Sequence, residues 1–441
     1  MVARSRRNEI FRISGAKGRL TWKGHTLNVR FSLKVSQHGE VILNFRAVPL
    51  RKNPSLLQIA SGGERFATWA SLTGVAPDGR TIETDYVYLG SRNVRIGPKP
   101  STIKFAGTSG RLRIRNGSMP KSSRGLVAKY STVGMRGFHV IARPSSYGDI
   151  RIAAATEVED PNGITGYVSI ASHKPQPILK WLKNCDETVE RILDLVSLSQ
   201  GRRIGWSIRQ VGTGDVVYEM EFLGPQIADE EHDGLGTFLN LQPFLELALT
   251  TYASALRRRT GLDVAIYWFL FHPRYIELQL LAAITAIEHL VSRFSKRRGP
   301  PALVHPRTFG SLSKEFEAAF RRVRSRTKKV KNLAILRNRI RGLNDAPLGE
   351  KLREMLTHYR VPVEGLDIAI QAAIRARNRV VHSGSYQAGY RELYVHVVVL
   401  REVLKRFFLT LLGYSGQYHS MLNGPQWVVF PPVGGTTVNP P

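Results

Sequence analysis

Apolar and polar residues alternate at every position of the stretch Leu27-Asn28-Val29-Arg30-Phe31-Ser32-Leu33. This two-residue period places the apolar side chains together on one face of a β-strand. Many short strands at such spacing predict a β-sandwich or a barrel for residues 1–175. Further runs of this kind, bounded by Gly, Pro, Ser and Asn, are 40–45, 84–88, 112–115, 138–141 and 150–153.

Basic side chains occupy alternate positions of several predicted strands, as in Leu112-Arg113-Ile114-Arg115. Two interpretations are open. The strands form a sheet face that contacts phosphate groups, or the basic residues belong to an ordinary solvated sheet face.

From residue 237 onward the apolar residues recur with helical spacing, which predicts an all-α bundle over 237–413. A helix, a hairpin and an acidic linker are predicted for 176–236. A Gly/Pro-rich tail is predicted for 414–441, either mobile or tethered to the surface by Trp427, Val428, Val429 and Phe430. The predicted fold class is α+β multidomain, with the β-rich sandwich or barrel preceding the helical bundle. The predicted helices of the bundle are 238–258, 264–271, 276–294, 312–323, 330–341, 348–359, 365–382 and 390–412.

The chain is strongly basic, with 64 Lys and Arg against 34 Asp and Glu, a formal charge of +30. An excess of this size attracts polyanions such as nucleic acid. The single cysteine, Cys185, excludes an intramolecular disulfide and a zinc site built on cysteine pairs, and it is typical of the reducing cytoplasm. No apolar span predicts a transmembrane helix, so we expect no membrane contact.

Charge is also segregated along the chain. No Lys or Arg occurs from Gln210 to Leu256, and this acidic stretch is either a linker that docks on a basic region or an acidic surface loop. Residues 293–341 carry many basic side chains against only Glu315 and Glu317, which favours contact with a phosphate backbone over a solvated face. The predicted RNA-binding residues in this basic stretch are Arg321, Arg322, Arg324, Arg326, Lys328, Lys329 and Lys331.

An arginine and a histidine lie five residues apart in Arg377-Asn378-Arg379-Val380-Val381-His382-Ser383-Gly384, at the end of an apolar helical run. Histidine transfers protons near neutral pH, and a guanidinium binds phosphate and neutralises charge that develops in a transition state. These are the groups that metal-independent cleavage of a phosphodiester needs.

Helical geometry constrains how these residues can cooperate. Arg377 falls on the apolar stripe, whose predicted members are Leu366, Ile370, Ala373, Ile374 and Val381. His382 lies about 140° around an ideal helix from Arg377, so the two side chains converge only if the helix distorts before Gly384 or if a second copy completes the site. Asn378 and His382 share a face, so Asn378 either orients the imidazole or holds the substrate.

Other chemistries lack their motifs in this sequence. It has no Walker A motif, no Gly-x-Gly-x-x-Gly after a strand and no His-Glu-x-x-His, which speaks against a nucleoside triphosphatase or a zinc hydrolase. We predict no cofactor and no metal ligands.

The segment 237–413 resembles the HEPN superfamily, whose diagnostic feature is Arg-x4–6-His. The resemblance is closest to the ApeA-like HEPN group, whose Arg-Asn-x-x-x-His-x-Gly pattern is matched by Arg377, Asn378, His382 and Gly384. The stretch 277–290 is similar to the central helix of the family with its embedded glutamate, here Glu288. Residues 339–344, followed by Lys351 and Leu352, are similar to the segment before the motif helix.

The resemblance implies a helical domain that often dimerises and places two Arg/His motifs in one cleft. It implies a metal-independent endoribonuclease in which His382 is the general acid or base for attack by the ribose 2′-OH. Arg377 would bind the scissile phosphate, with Asn378 in support. Glu288 is either a supporting residue or a polar helix residue paired with a neighbouring base.

Three functions follow as hypotheses. The first is an endoribonuclease acting as a homodimer on RNA, in anti-phage defence or as a toxin, with a phage-derived or nucleic-acid trigger and the β-rich part as its sensor. The second is a HEPN protein that binds RNA or a nucleotide without catalysis. The third is an adaptor that oligomerises through pairing of its acidic and basic segments.

Overall fold

The computed structural model divides the chain into two compact units. The first unit contains Met1–Ser197 and Arg202–Glu231, and the second contains Leu198–Gly201 and His232–Pro441. The structure describes residues 9–22, 24–36, 38–47, 68–89, 95–96, 103–138, 141–145, 148–155, 163–224, 234–236, 241–252, 254–299, 303–327, 339–340, 343–383 and 389–431.

Strands dominate the first unit, as the alternating sequence predicts. Along His25–Ser36 the apolar side chains Leu27, Val29, Phe31, Leu33 and Val35 are all buried. The strands are β1 (Glu9–Trp22), β2 (His25–Ser36), β3 (Val41–Ala47), β4 (Thr68–Val75), β5 (Thr81–Leu89), β6 (Arg95–Ile96), β7 (Ile103–Ser109), β8 (Arg111–Arg115), β9 (Val127–Val133), β10 (Ile141–Ser145), β11 (Gly148–Ala154), β12 (Ile164–Ala171), β13 (Gly205–Thr213) and β14 (Val216–Leu223); one helix, α1 (Ile178–Gln200), precedes β13.

Six of these strands close into an antiparallel barrel in the order β1-β2-β3-β7-β5-β4, because β5 pairs with both β4 and β7. Of the two predicted alternatives, a sandwich or a barrel, this part of the chain forms the barrel. Its interior is filled by fully buried aliphatic side chains such as Leu20, Leu33 and Leu72. A closed barrel leaves none of its own strands with an unpaired edge.

A second run of strands branches from the barrel at β5. Strands β7 and β8 pair with β5 in one continuous register, Leu89 with Gly107 and Thr81 with Arg115. Strand β8 then begins the extension β8-β14-β13-β9-β12-β11-β10. Helix α1 lies against this extension, since the hydroxyl of Tyr130 on β9 donates a 2.6 Å hydrogen bond to Asp186 on α1.

Helices form most of the second unit, and the predicted bundle is confirmed. The predicted helix 238–258 is instead two helices that end and restart around Tyr252, and the predicted helix 330–341 lies largely outside the described residues. The helices are α2 (Leu241–Thr251), α3 (Ser254–Thr260), α4 (Leu262–Leu270), α5 (Ile276–Arg298), α6 (Pro306–Thr327), α7 (Leu348–Tyr359), α8 (Asp367–Ser383) and α9 (Tyr390–Leu412). Helix α5 packs against α4, α7, α8 and α9.

For residues 414–431 the structure agrees with the tethered alternative at Phe430 rather than with a mobile tail. Strands β15 (Gly416–Ser420) and β16 (Gln426–Phe430) form a hairpin in which Tyr418 and Phe430 are buried. The hairpin is held on α9, where the buried carboxylate of Glu402 accepts hydrogen bonds from Tyr418 and Ser420. The Gly- and Pro-rich composition of this segment does not predict the hairpin, because the hairpin depends on contacts with the preceding helix α9.

Cys185 is a free, buried thiol on α1. Burial raises the pKa of this thiol, and the nearby carboxylate of Asp186 raises it further, so the thiol is a packing group. Within the described ranges, none of the helices combines the length and apolar character needed to cross a lipid bilayer.

Candidate active site

The helix α8 presents one buried face and one exposed face. Ile370, Ala373 and Ile374 are buried, and the buried stripe continues through Ala376 and Val380. The prediction that Val381 belongs to this stripe is wrong, because its side chain is 50% exposed. On a helix of 3.6 residues per turn, seven residues make almost two full turns, so Val380 lies on the same side as Ala373. Val381 lies about 80° round the helix from Ala373 and falls outside the buried stripe.

Arg377 lies at the edge of this buried stripe and points to the neighbouring helix α5. Its Nη2 donates a 2.6 Å hydrogen bond to Oε1 of Glu288, and its Nη1 donates a 3.1 Å hydrogen bond to Oδ1 of Asn378. The guanidinium is therefore held by a carboxylate on one side and by an amide oxygen on the other. Since charge-assisted bonds to arginine are directional, this pair fixes where the guanidinium plane lies.

One donor of Arg377 remains unsatisfied. Its Nε is buried and has no hydrogen-bond partner among the described residues. The side chain as a whole is 26% exposed and that of Glu288 is 39% exposed, so an anion in solution can reach the pair. A buried, unpaired N–H donor is costly, so this arginine is incompletely satisfied by the described residues.

His382 lies exposed in the last turn of α8. The helix continues without interruption from Arg377 to Ser383, so the distortion considered from the sequence does not occur within these residues, and Gly384 lies outside the described residues. On an uninterrupted helix the two side chains diverge by about 140°. In the described part of the chain His382 makes no hydrogen bond to Asn378, whose side chain contacts Arg377 instead.

Glu288 also lines a cleft of about 410 Å³ between α5 and the first turn of α7. Lys296 and Lys351 bring two positive charges to the cleft, and Ser292 and Ser295 bring hydroxyl groups. The Oγ of Ser295 is buried and has no hydrogen-bond partner among the described residues. Basic and hydroxyl groups around a cleft of this kind suit a phosphate chain.

The spacing of polar residues along α5 indicates this cleft, although the Arg/His motif does not. Glu288, Ser292, Ser295 and Lys296 follow one another at spacings of four, three and one, so they share one face of α5. Val291 and Leu348 complete the wall of the cleft. Only Glu288 among these residues was predicted as a site residue, and it was predicted through the resemblance.

The predicted RNA-binding residues are only partly described. Arg321 and Arg322 are exposed on α6, and Arg321 lies 3.6 Å from the carboxylate of Glu317. Arg324 and Arg326 belong to the same helix. Lys328, Lys329 and Lys331 lie outside the described residues, as do Asp229, Glu230, Glu231 and Asp233 of the acidic stretch.

Two other members of the acidic stretch occupy a different environment from the one expected. Glu219 and Glu221 are buried on β14, where they form ion pairs with Arg209 on β13. Both residues lie on the second strand of the hairpin predicted within 176–236, so the linker and surface-loop interpretations do not apply to them. The short strand pattern around them gives no sign of the arginines on the neighbouring strands that neutralise them.

Comparison with known proteins identifies no relative. No family model matches the chain, and neither a curated protein nor a solved structure matches it.

Proposed function

We propose that this chain is a metal-independent endoribonuclease of the HEPN type. The observation that carries the proposal is the geometry of Arg377. Its guanidinium is held by Glu288, a residue that also lines a cleft with Lys296 and Lys351, and His382 is exposed on the same helix. The proposal is supported by a positioned guanidinium beside a basic cleft, with an exposed imidazole on the same helix as the proton-transfer group.

The cleavage uses the ribose 2′-OH as an internal nucleophile. The 2′-oxygen forms a bond to phosphorus as its proton leaves, and the bond from phosphorus to the 5′-oxygen breaks as that oxygen gains a proton. His382 transfers one of these protons. Arg377 stabilises the added negative charge on the pentacoordinate phosphorus, and Asn378 and Glu288 hold its guanidinium in place. The products are a 2′,3′-cyclic phosphate and a 5′-OH, and DNA is not a substrate.

The divergence of Arg377 and His382 on one straight helix favours a composite site made by two copies of the chain. A face for such pairing exists near the motif, because large apolar side chains are exposed on α8 and α9. Exposed hydrophobic groups of this size are typical of interaction surfaces. They are Ile368, Val381, Tyr390, Tyr394 and Val395. The partners in this proposal are RNA and a second copy of the chain, and the setting is cytoplasmic defence or toxicity.

The test is incubation of the full chain with total RNA in EDTA, comparing wild type with His382→Ala and Arg377→Ala. Arg375→Ala is the matched control, because Arg375 is an exposed arginine on the same helix. We expect 2′,3′-cyclic phosphate products from wild type and the control, and a loss of at least about 100-fold in the two motif variants.

Cleavage that persists in both motif variants would overturn the site assignment. RNA binding without cleavage, lost in Arg377→Ala and weakened by salt, would replace the nuclease with a non-catalytic RNA-binding protein. Self-association that survives high salt without RNA binding would point to the adaptor.

A further inference from the structure

A second pocket, of about 640 Å³, lies in the first unit. One wall is the outer face of β5, β8 and β14, and the other is the first half of α1. Its volume is within the range of small-molecule sites, roughly 300–1,000 Å³. The nuclease proposal does not involve this pocket.

Three arginines line the sheet wall. Arg111, Arg113 and Arg115 alternate along β8, so all three side chains emerge on the same face. Strand β14 places a glutamate opposite two of them, Glu221 facing Arg113 and Glu219 facing Arg115. These basic residues of β8 are partly exposed and line the pocket, where they pair with the two glutamates of β14.

The arginines exceed what the carboxylates beneath them require. Glu219 and Glu221 are almost fully buried, at 5% and 1% exposure, whereas Arg111, Arg113 and Arg115 remain 53%, 32% and 34% exposed. Arg111 donates through Nε to Glu221, and Arg115 donates through Nε to Glu219 and through Nη1 to Glu83. Both Nη atoms of Arg111 and the Nη2 of Arg115 keep N–H groups that no described residue accepts.

Two of the arginines that line the pocket have buried donors. The Nε atoms of Arg113 and Arg209 have no hydrogen-bond partner among the described residues, and that of Arg113 lies 3.8 Å from the carboxylate of Glu219. Lys183 adds an exposed ammonium from α1, with no ion pair to any described carboxylate. The lining contains five basic side chains and three acidic ones, and Glu221 beneath it pairs with three of the arginines, which leaves a surplus of one positive charge.

The helix wall is apolar. Ile178, Leu182 and Leu179 line it, and Leu179 is 80% exposed. An exposed leucine beside arginine side chains offers a surface for an uncharged, flat group next to an anionic one. Arginine guanidinium groups match phosphate oxygens in geometry and number of donors.

From this arrangement we propose that the pocket binds a nucleotide. Its phosphate is held by Arg111, Arg115 and Lys183, and its base lies on the apolar wall at Leu179. A mononucleotide satisfies both walls at once, whereas inorganic phosphate uses only the sheet wall and a nucleoside only the helix wall.

The test is isothermal titration calorimetry of the full chain with adenosine and guanosine monophosphate, with inorganic phosphate and the free nucleosides as probes of each half. We expect at least one mononucleotide to bind about tenfold or more tightly than phosphate or its nucleoside, the factor expected from about 1.4 kcal/mol of added contact. Leu179→Ser and Lys183→Ala should each weaken binding about tenfold. Both residues are exposed, so these changes leave the buried ladder intact.

Lys180→Ala is the matched control, because Lys180 is an exposed lysine of the same helix that does not line the pocket. Equal binding by Lys183→Ala, Lys180→Ala and wild type would overturn the proposal, as would the absence of binding by either mononucleotide. Binding abolished by Arg377→Ala would also overturn it, because the ligand would then occupy the other unit. Failure of the nuclease test leaves this result unaffected.

Discussion

The carboxylate of Glu288 on α5 accepts a 2.6 Å hydrogen bond from Arg377, which lies 89 residues later on α8. This pair connects the central helix of the second unit to the motif helix. Because both side chains are partly exposed, the pair contributes less than about 1 kcal/mol to stability. Its importance is therefore orientation of the guanidinium rather than cohesion of the fold.

We expect Glu288→Ala to reduce RNA cleavage by about 10- to 100-fold, because a misplaced guanidinium binds the transition state poorly. Glu288→Gln keeps an oxygen that accepts the hydrogen bond and should retain more activity than the alanine variant. Single-turnover cleavage rates, with thermal unfolding measured in parallel, test this ranking. Equal rates for wild type and Glu288→Ala would show that Arg377 needs no such support.

Three histidines of the second unit make its stability depend on pH. Burial lowers the pKa of His289, His358 and His396 below the ordinary value of 6.5, and neighbouring arginines lower the pKa of each further. The fold thus favours the neutral imidazoles. Their contribution to stability is complete above pH 6.5 and is lost as the pH falls through the lowered pKa values.

The melting temperature should therefore fall as the pH is lowered below about 6.5. His358→Gln should make the melting temperature depend less on pH. Nε2 of His358 lies 3.3 Å from Nη2 of Arg298, so protonation of this imidazole places two positive charges side by side. Differential scanning calorimetry across this range measures both effects. A melting temperature that rises toward pH 5 would contradict the assignment.

Arg209 neutralises buried carboxylates in the first unit, and its removal should be costly. Its guanidinium forms ion pairs with Asp186, Glu219 and Glu221. Burial alone would raise the pKa of Glu221, but the positive charges of Arg209 and Arg111 outweigh it and hold this pKa below its ordinary value. Arg209→Ala removes a buried cation and leaves Glu219 and Glu221 only the partly exposed arginines of β8, so it should destabilise the unit by up to about 3–5 kcal/mol.

Urea unfolding followed by circular dichroism measures this loss. Arg80→Ala is the control, because Arg80 pairs with the exposed Asp78 in the same unit, and the loss of this pair should cost far less than the loss of Arg209. Similar losses in the two variants would mean that the buried network contributes no more than an exposed pair.

Glu402 should prove as important to the second unit as Arg209 is to the first. Its carboxylate accepts hydrogen bonds from Arg406 on the same helix and from Tyr418 and Ser420 of the hairpin. Glu402→Ala leaves Arg406 buried without its carboxylate, and we expect a loss of about 3–5 kcal/mol.

Hydrogen exchange should then become faster across residues 416–430 while the start of α9 stays protected. The exposed Glu392 of the same helix supplies the control variant, Glu392→Ala. If exchange in the hairpin were unchanged in Glu402→Ala, the hairpin would be held by its apolar contacts alone.

Local patterns in the sequence predict most elements of this fold. The alternation along β2 and the helical periods at 348–359 and 390–412 coincide with the observed strand and helices. Each of these elements is decided by residues that are close together in the chain. The position of Arg377 on a helix could be predicted for the same reason.

Contacts between distant residues could not be predicted in this way. Closure of the barrel requires β5 to pair with β7, and the surroundings of Arg377 require Glu288 on another helix. The glutamates of β14 look like surface residues until the arginines of β8 and β13 are placed beside them. Neither the cleft at Glu288 nor the pocket beside β8 can be predicted from the sequence without these long-range contacts.

The continuous register of β5 against β7 and β8 restricts how this protein can evolve. Within β5, Ile82 is buried in the apolar core, whereas Thr81 and Glu83 line the charged pocket. Inserting or deleting one residue in β5 would reverse these faces, exposing the core side chain and burying the acid. Homologues should therefore keep the length of this strand and its apolar–polar alternation, and loop-length variation should be confined to its two ends.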